Sequence, residues 1–235
     1  MKVEIWSDVM CPFCYIGKRR FEKALAKFEH NHQVEIIWKS FLLMPDLKTD
    51  PSKNVVEFLA KTKGWTLDYA RNAHEYVTNM AKEEDLHYNF ERAVVANSFN
   101  AHRLLHLAKR HAKGHILKES LLKAYFIEGK NIDERETLIS MGKNVGLPTE
   151  DMHTMFESDL FADEVRKDLY EARQVGVTGV PFFLFDGKYA VSGAQSVDVF
   201  ISALRKIYEE QEATEQTTAI NPNENAACTT DGDCS

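Results

Sequence analysis

No cysteine stands between Cys14 and Cys228 in this 235-residue chain; the four it has form two close pairs at opposite ends. Disulfides that staple the middle of the chain are therefore excluded. No stretch approaches the ~18 apolar residues that a bilayer crossing needs, and "MKVEIWSD" lacks the apolar core of a signal peptide. With Met1 as the natural start, the expected location is cytoplasmic, with no membrane partner. An excess of positive charge is also missing: 29 Lys and Arg face 36 Asp and Glu, a net charge of -7. That balance argues against a binder of nucleic-acid backbones, and "KRR" at 18–20 reads as a solvated helix face. No repeat period appears. In a reducing compartment, paired cysteines are more often catalytic or metal-binding than structural.

What is present is an ordinary globular composition, 44% hydrophobic and 28% charged, which is enough for a sizeable core. "KVEIWSD" reads as a strand with Val3 and Ile5 on one face. The next stretch changes period: Phe21, Ala24, Leu25 and Phe28 recur at helical spacing. "QVEIIWKSF" is a second strand. From about 45 to 175 the spacing predicts helix almost throughout, several segments ending in Gly. "VPFFLFDGKYAVSG" then holds two apolar runs joined by Asp186-Gly187, a hairpin signal. An amphipathic helix follows, with Ser196 as its N-cap. The predicted order is βαβ, a helical block, then ββα. This is an α/β chain with the thioredoxin layout: a mixed sheet, assembled from residues 1–44 and 176–210, carrying an inserted all-helical domain at 45–175. The last helix of that block is expected to lie against the sheet domain. Residues 211–235 hold almost no large apolar side chain and are expected to form a flexible tail.

"CPFC" falls at the first strand-to-helix junction. A thiol reacts as its thiolate, and a helix N-terminus offers Cys11 unpaired N–H groups and the positive end of a dipole. Pro12 suits the first helical turn because its missing N–H costs nothing there. Cys14, one turn further on nearly the same face, can attack a mixed disulfide held on Cys11. Zinc binding competes, since C-P-x-C also occurs in zinc knuckles, but those need a second ligand pair and favour hairpin turns. Two buried structural thiols are the third reading, which a junction of this kind disfavours.

"D-x-x-CPFCYIG", "NSFNAHRL" at 97–104, "GVTGVPFF" at 176–183 and "VSGAQ" at 191–195 together resemble the DsbA-like branch of the thioredoxin superfamily, closest to its FrnE-type cytoplasmic members. The resemblance spans about residues 1–210. It implies a protein disulfide oxidoreductase or isomerase, with Cys11 attacking and Cys14 resolving. Val180–Pro181 would be the cis-proline loop, with Thr178 and Gly179 leading into it, and Val180 would pair with an extended substrate peptide. The "NSFNAHRL" helix would pack near the active site, where Asn97 is a candidate to line the cleft and His102 and Arg103 to line it or to modulate the thiolate. Asp8 is read as a helix cap, with a proton shuttle as the alternative. Implied partners are proteins or peptides carrying disulfides or thiols, and a thioredoxin- or glutathione-type reductant. No cofactor is implied beyond the redox-active disulfide, with glutathione or another thiol as a candidate co-substrate. No metal ligand set is expected: the His102–His106 and His111–His115 pairs lack the carboxylate of a metal motif.

Phe13 departs from the strongly oxidising DsbA type, which has His there. Phe13 offers the thiolate no charge or hydrogen bond, so the disulfide should be less oxidising, favouring reduction or isomerisation. Kappa-type glutathione transferases and hydroxychromene-carboxylate isomerases share the fold family; they use Ser in the place of Cys11 and lack the second thiol. A non-enzymatic metal-binding protein using all four cysteines is the remaining alternative.

The second pair, Cys228 and Cys234, is expected to exchange disulfides with Cys11–Cys14 as an auxiliary shuttle or cap. Inert thiols, a local disulfide and a metal half-site compete with that expectation. Residues 211 to 228 would reach about 58 Å when extended and about 22 Å as coil, against a radius of gyration of about 17 Å for a compact domain of this size.

Overall fold

A computed structural model describes residues 1–220, with side chains as far as residue 213. In chain order the elements are β1 (Lys2–Ser7), α1 (Pro12–Lys27), β2 (Glu35–Ser40), β3 (Asp50–Asn54), α2 (Val55–Lys63), α3 (Leu67–Lys82), β4 (Val94–Val95), α4 (Phe99–Arg110) and α5 (Gly114–Lys123). They continue with α6 (Arg135–Asn144), α7 (Thr149–Phe156), α8 (Ala162–Val175), β5 (Phe182–Phe185), β6 (Tyr189–Ser192) and α9 (Val197–Ile220). The main sheet has the order β2-β1-β5-β6. β1 and β2 run parallel, Lys2 opposite Glu35; β5 and β6 are antiparallel to their neighbours, Ile5 opposite Phe183. This is the mixed sheet of a thioredoxin fold.

Strand side chains alternate between faces, and the sheet's two cores follow from that period of two. On one face Val3, Ile5, Phe183 and Phe185 meet Phe21 of α1 and Phe200 of α9. The Phe183–Phe200 and Phe21–Phe183 ring centroids stand 4.6 and 5.3 Å apart. Each ring buried there contributes about 1.5–3 kcal/mol, and the cluster seats α1 at a fixed angle on the sheet. On the other face Trp6 and Leu184 pack with Ala172 of α8. The Trp6 indole N–H donates to the Asp168 carbonyl at 3.0 Å, so the last helix of the inserted block lies against the sheet. A larger core joins Val9, Tyr15 and Ile16 to the helices of that block.

Three expectations are corrected. The inserted block is not all-helical: β3 and β4 form a short antiparallel pair with a register shift between Asp50 and Asn54. β3 is polar and contains Pro51, and β4 has two residues, so neither shows the alternation that marks a strand. The "KRR" cluster is not a solvated face. Lys18 is buried and bonds Glu22 and Glu119 at 2.6 Å each, and Arg20 donates to Glu84 at 2.6 Å, tying α1 to its neighbours. Finally, α9 does not stop near 211 but runs to Ile220. As helix, that extra length rises about 1.5 Å per residue instead of about 3.4 Å. Cys228 and Cys234, with the exchange expected of them, lie outside the described residues.

Candidate active site

The site is built where the C-terminal end of β1 turns into α1. Cys11 is the N-cap residue, with extended backbone (φ -91°, ψ 114°), and Pro12 opens the helix. The Cys14 N–H donates to the Cys11 carbonyl at 3.0 Å, closing the first turn. Both residues are free thiols, and both are buried. The Cys11 thiol donates to the Val180 carbonyl oxygen at 3.3 Å, and the Val180–Pro181 peptide bond is cis. The structure therefore brings Cys11, Cys14, Val180 and Pro181 together.

Gly17 sets how closely the proline loop approaches. A Cβ built at Gly17 would stand 2.8 Å from Pro181 Cγ and 3.4 Å from Ala194 Cα, so any larger residue pushes the loop away. The Gly193 N–H holds the other side of the loop by donating to the Pro181 carbonyl at 2.8 Å. Thr178 is exposed and Gly179 half-buried on the approach to this loop.

Beneath Cys14 lies a polar chamber. Asp8, fully buried, accepts from Ser98 Oγ at 2.6 Å, Leu43 N at 2.8 Å and Met10 N at 3.3 Å. His102 Nε2 stands 3.5 Å from Asp8 Oδ1 and has no closer partner. Lys118 is buried; its ammonium donates to the Ser7 carbonyl at 3.3 Å and lies 5.5 Å from the Trp38 ring centroid. Behind these groups opens a cavity of about 250 Å³, lined by His102, Lys118, Trp38, Ser40 and His106 among others.

The charges follow from this packing. Burial pushes the Asp8 carboxyl up, but His102, Ser98 and the Leu43 N–H outweigh it and keep it ionised below the usual carboxylate range. Burial takes His102 down, with the Asp8 carboxylate opposing that fall. Burial likewise pushes Lys118 down to about 8, with the two thiols and Asp8 opposing that fall. The thiols titrate as a pair. Cys11 is pushed well up by its hydrogen bond with Cys14, and by burial. Burial raises Cys14 too, but the Cys11 hydrogen bond, the Lys118 charge and the Ser7 hydroxyl outweigh it, so its net direction is down. The pair therefore shares its first ionisation, with the Lys118 ammonium and the Ser7 hydroxyl favouring the anion on the Cys14 side. On Cys11 the Cys14 backbone N–H favours the anion but does not outweigh burial and the neighbouring thiol.

Several expected residues sit elsewhere. Asp8 does not cap α1, because its carboxylate turns inward to meet donors that burial would otherwise leave unpaired. His102 does not line the cleft; it is buried 3.5 Å from Asp8, a place that suits the other role expected of it, modulating the thiolate. Arg103 points away from them, its guanidinium donating to the Leu160, Met155 and Ser158 carbonyls. Asn97 organises the loop before α4: its side-chain amide donates to the Leu47 carbonyl at 2.8 Å and to that of Pro45. Phe13 is 37% exposed beside the thiols. Sequence reasoning passed over Lys118, although a lysine at i with Leu121, Leu122 and Tyr125 at i+3, i+4 and i+7 occupies a core-facing position. It also passed over Tyr88, whose hydroxyl donates to the Pro12 carbonyl at 2.7 Å. Among the described residues, no group of three or more His, Cys, Asp or Glu is placed to hold a metal ion.

A parallel–antiparallel sheet with two thiols at the first helix start and a cis-proline loop against them defines a thioredoxin-like domain. The chain matches the DSBA-like thioredoxin domain over residues 2–205 and belongs to that family. It is similar to a probable DsbA oxidoreductase, SCO1869, of Streptomyces coelicolor: 36% identical, TM-score 0.85, covering 99% of this chain and 97% of that one. The uncharacterized protein YwbO of Bacillus subtilis is 27% identical over 214 residues, 86% of this chain and 94% of that protein. The cytosolic disulfide reductase DsbM of Pseudomonas aeruginosa shares the fold, at 14% identity and TM-score 0.65, covering 89% of this chain and 99% of that one.

Proposed function

We propose that this protein is a thiol–disulfide oxidoreductase acting on disulfides in polypeptides, and that it works in the reducing or isomerising direction. One observation carries the reading: Cys11 sits at the α1 N-terminus with its sulfur 3.3 Å from the Val180 carbonyl, and Cys14 lies one turn behind it. The Cys11 thiolate attacks one sulfur of a substrate disulfide, forms a mixed disulfide and releases the first substrate thiolate. Cys14 gives up its proton and attacks the Cys11 sulfur, releasing the second. The substrate gains two electrons and two protons, and the protein is left with a Cys11–Cys14 disulfide, which a thioredoxin- or glutathione-type thiol reduces again. The substrate polypeptide lies extended beside Cys11, and the Val180 backbone is the candidate to pair with it. Phe13 adds no positive charge or hydrogen bond to the pair, which supports a weakly oxidising disulfide. Among the described residues no helix is long and apolar enough to cross a membrane, and we place the activity in the cytoplasm.

The test is reduction of a disulfide-bonded polypeptide with glutathione as the electron source. Wild-type protein is expected to turn over, and Cys11→Ser to fall to the uncatalysed rate. Undiminished turnover by Cys11→Ser would refute the assignment.

A further inference from the structure

The cavity of about 250 Å³ behind the polar chamber opens between the edge strand β2 and the helices α4 and α5, and the redox chemistry does not use it. Its lining is cationic in a chain whose net charge is -7: Lys39, Lys109, Lys118 and three histidines line it, and no carboxylate does. The carboxylates around it are already engaged. Asp168 and Glu171 pair with Lys39, Asp168 also with His106, and Glu22 with His115. Two lysines remain. Lys118 is 1% exposed, and its ammonium makes one hydrogen bond, to the Ser7 carbonyl, of the three it can donate. Lys109 is exposed and pairs with no carboxylate among the described residues. Two further lining residues hold buried nitrogens without a hydrogen-bond partner: Trp38, at its indole N–H, and His102, whose Nε2 has nothing closer than Asp8 at 3.5 Å. Gly114 and His115, the first two residues of α5, also line the cavity, and no side chain caps that helix. Its first N–H groups and the positive end of its dipole therefore lie at the same space.

We propose that this cavity binds one small oxyanion of the phosphate or sulfate class, held by Lys118, Lys109, the Trp38 N–H and the start of α5. Each of these groups donates and none accepts: two ammonium charges, an indole N–H and a helix N-terminus are the partners such an ion takes. A buried ammonium without a carboxylate is costly, and an anion beside it offsets that cost. Two unpaired lysines match two negative charges, so a dianion suits the site better than a singly charged carboxylate. The volume lies below the ~300–1,000 Å³ of ordinary small-molecule sites, which limits the ligand to a small ion. The inference stands apart from the redox reading and does not depend on it.

The experiment is calorimetric titration of the reduced full-length protein with sodium phosphate, sodium sulfate and sodium acetate at constant ionic strength. Phosphate and sulfate are expected to bind at one ion per chain with a Kd below about 1 mM, and acetate about tenfold more weakly or worse. Trp38→Phe keeps the ring and removes the N–H; it should weaken phosphate binding about tenfold, the worth of one hydrogen bond to a charged group. Lys118→Met should weaken it about 10- to 100-fold. Lys109→Ala, at an exposed position, should weaken it about threefold, and it serves where a buried variant does not fold. Lys188→Ala, in the β5–β6 turn at the other side of the sheet, should leave binding unchanged. No saturable phosphate binding below that limit, acetate bound as tightly as phosphate, or an affinity untouched in the folded cavity variants overturns the site.

Discussion

Cys11 and Cys14 are three residues apart and meet different surroundings. Around Cys11 the walls are the Val180 backbone on one side and apolar side chains, Met10 and Leu43 among them, on the other. Below Cys14 are a carboxylate, an imidazole, a lysine and a hydroxyl, all buried. The first region presents surface to a partner; the second holds charge for a proton. One four-residue motif reaches both because α1 begins between them, and Asp8 joins the two. It supports the chamber through Ser98 and the rim through the Leu43 N–H. The comparison teaches that partner choice and thiol chemistry are set by different residues here, and mutations should separate them.

The largest effect is expected where the regions share a residue. Asp8→Asn replaces a buried acceptor of three hydrogen bonds with an amide that turns a donor toward donors. It should cost about 3–5 kcal/mol and lower Tm by about 10–15 °C, read by thermal denaturation. The wild-type carboxyl also sets an acid limit. Its folded-state pKa is depressed, so its stabilisation is full above about pH 4 and is lost as pH falls through the folded value.

Gly17→Ala comes next and strikes the rim alone. A Cβ 2.8 Å from Pro181 Cγ forces the proline loop outward, costing about 1–3 kcal/mol. Turnover of peptide disulfides should fall further than stability accounts for, because Val180 moves away from Cys11; a comparison of kcat/KM with the denaturation midpoint checks this.

Lys118→Met strikes the chamber alone. Lys118 is pushed down to about 8 by burial, so the unfolded chain binds this proton more tightly between that value and about 10.4, the ordinary lysine value. Wild-type stability contributed by this group should therefore rise with pH across that window. The variant should lose this slope and be as stable as wild type or more so at neutral pH. Without the ammonium, the first ionisation of the thiol pair should move up, measured by thiolate absorbance against pH.

The smallest effect on the fold belongs to Leu43→Ser. At an exposed position it should change stability by no more than about 0.5 kcal/mol, read by thermal denaturation, and leave the thiolate titration in place.

What the sequence made legible follows from local rules. The period change at residue 8, Pro12 at a helix start and Asp186-Gly187 between apolar runs each have short-range causes, and they yield the sheet, α1 and the hairpin. Glu84 pairing with Arg20 and Lys23, and Glu119 with Lys18 and Arg19, lie about sixty and a hundred residues apart; no spacing rule brings them together. The chamber was obscured for the same reason. His102 and Arg103 are adjacent on α4, so a helix turns them to different sides, one under the thiols and one into the α7–α8 connection. Which of the two faces the site is decided by tertiary packing. Lys118 left a visible trace, a charge on an apolar stripe, whereas the apolar cavity beside Met10 and Pro12 left none, since its lining is drawn from six separate segments.

The central claim is that Cys11 is the attacking sulfur and Cys14 the resolving one. The most direct test is to react the Cys14→Ser protein, with Cys228 and Cys234 also changed to Ser, with a disulfide-linked peptide, and to map the product by mass spectrometry. The expected result is a stable mixed disulfide on Cys11, absent in Cys11→Ser and resolved to a Cys11–Cys14 bond when Cys14 is present. A protein that forms no adduct at Cys11, or one whose Cys11→Ser variant captures the peptide on Cys14 equally well, would contradict the account.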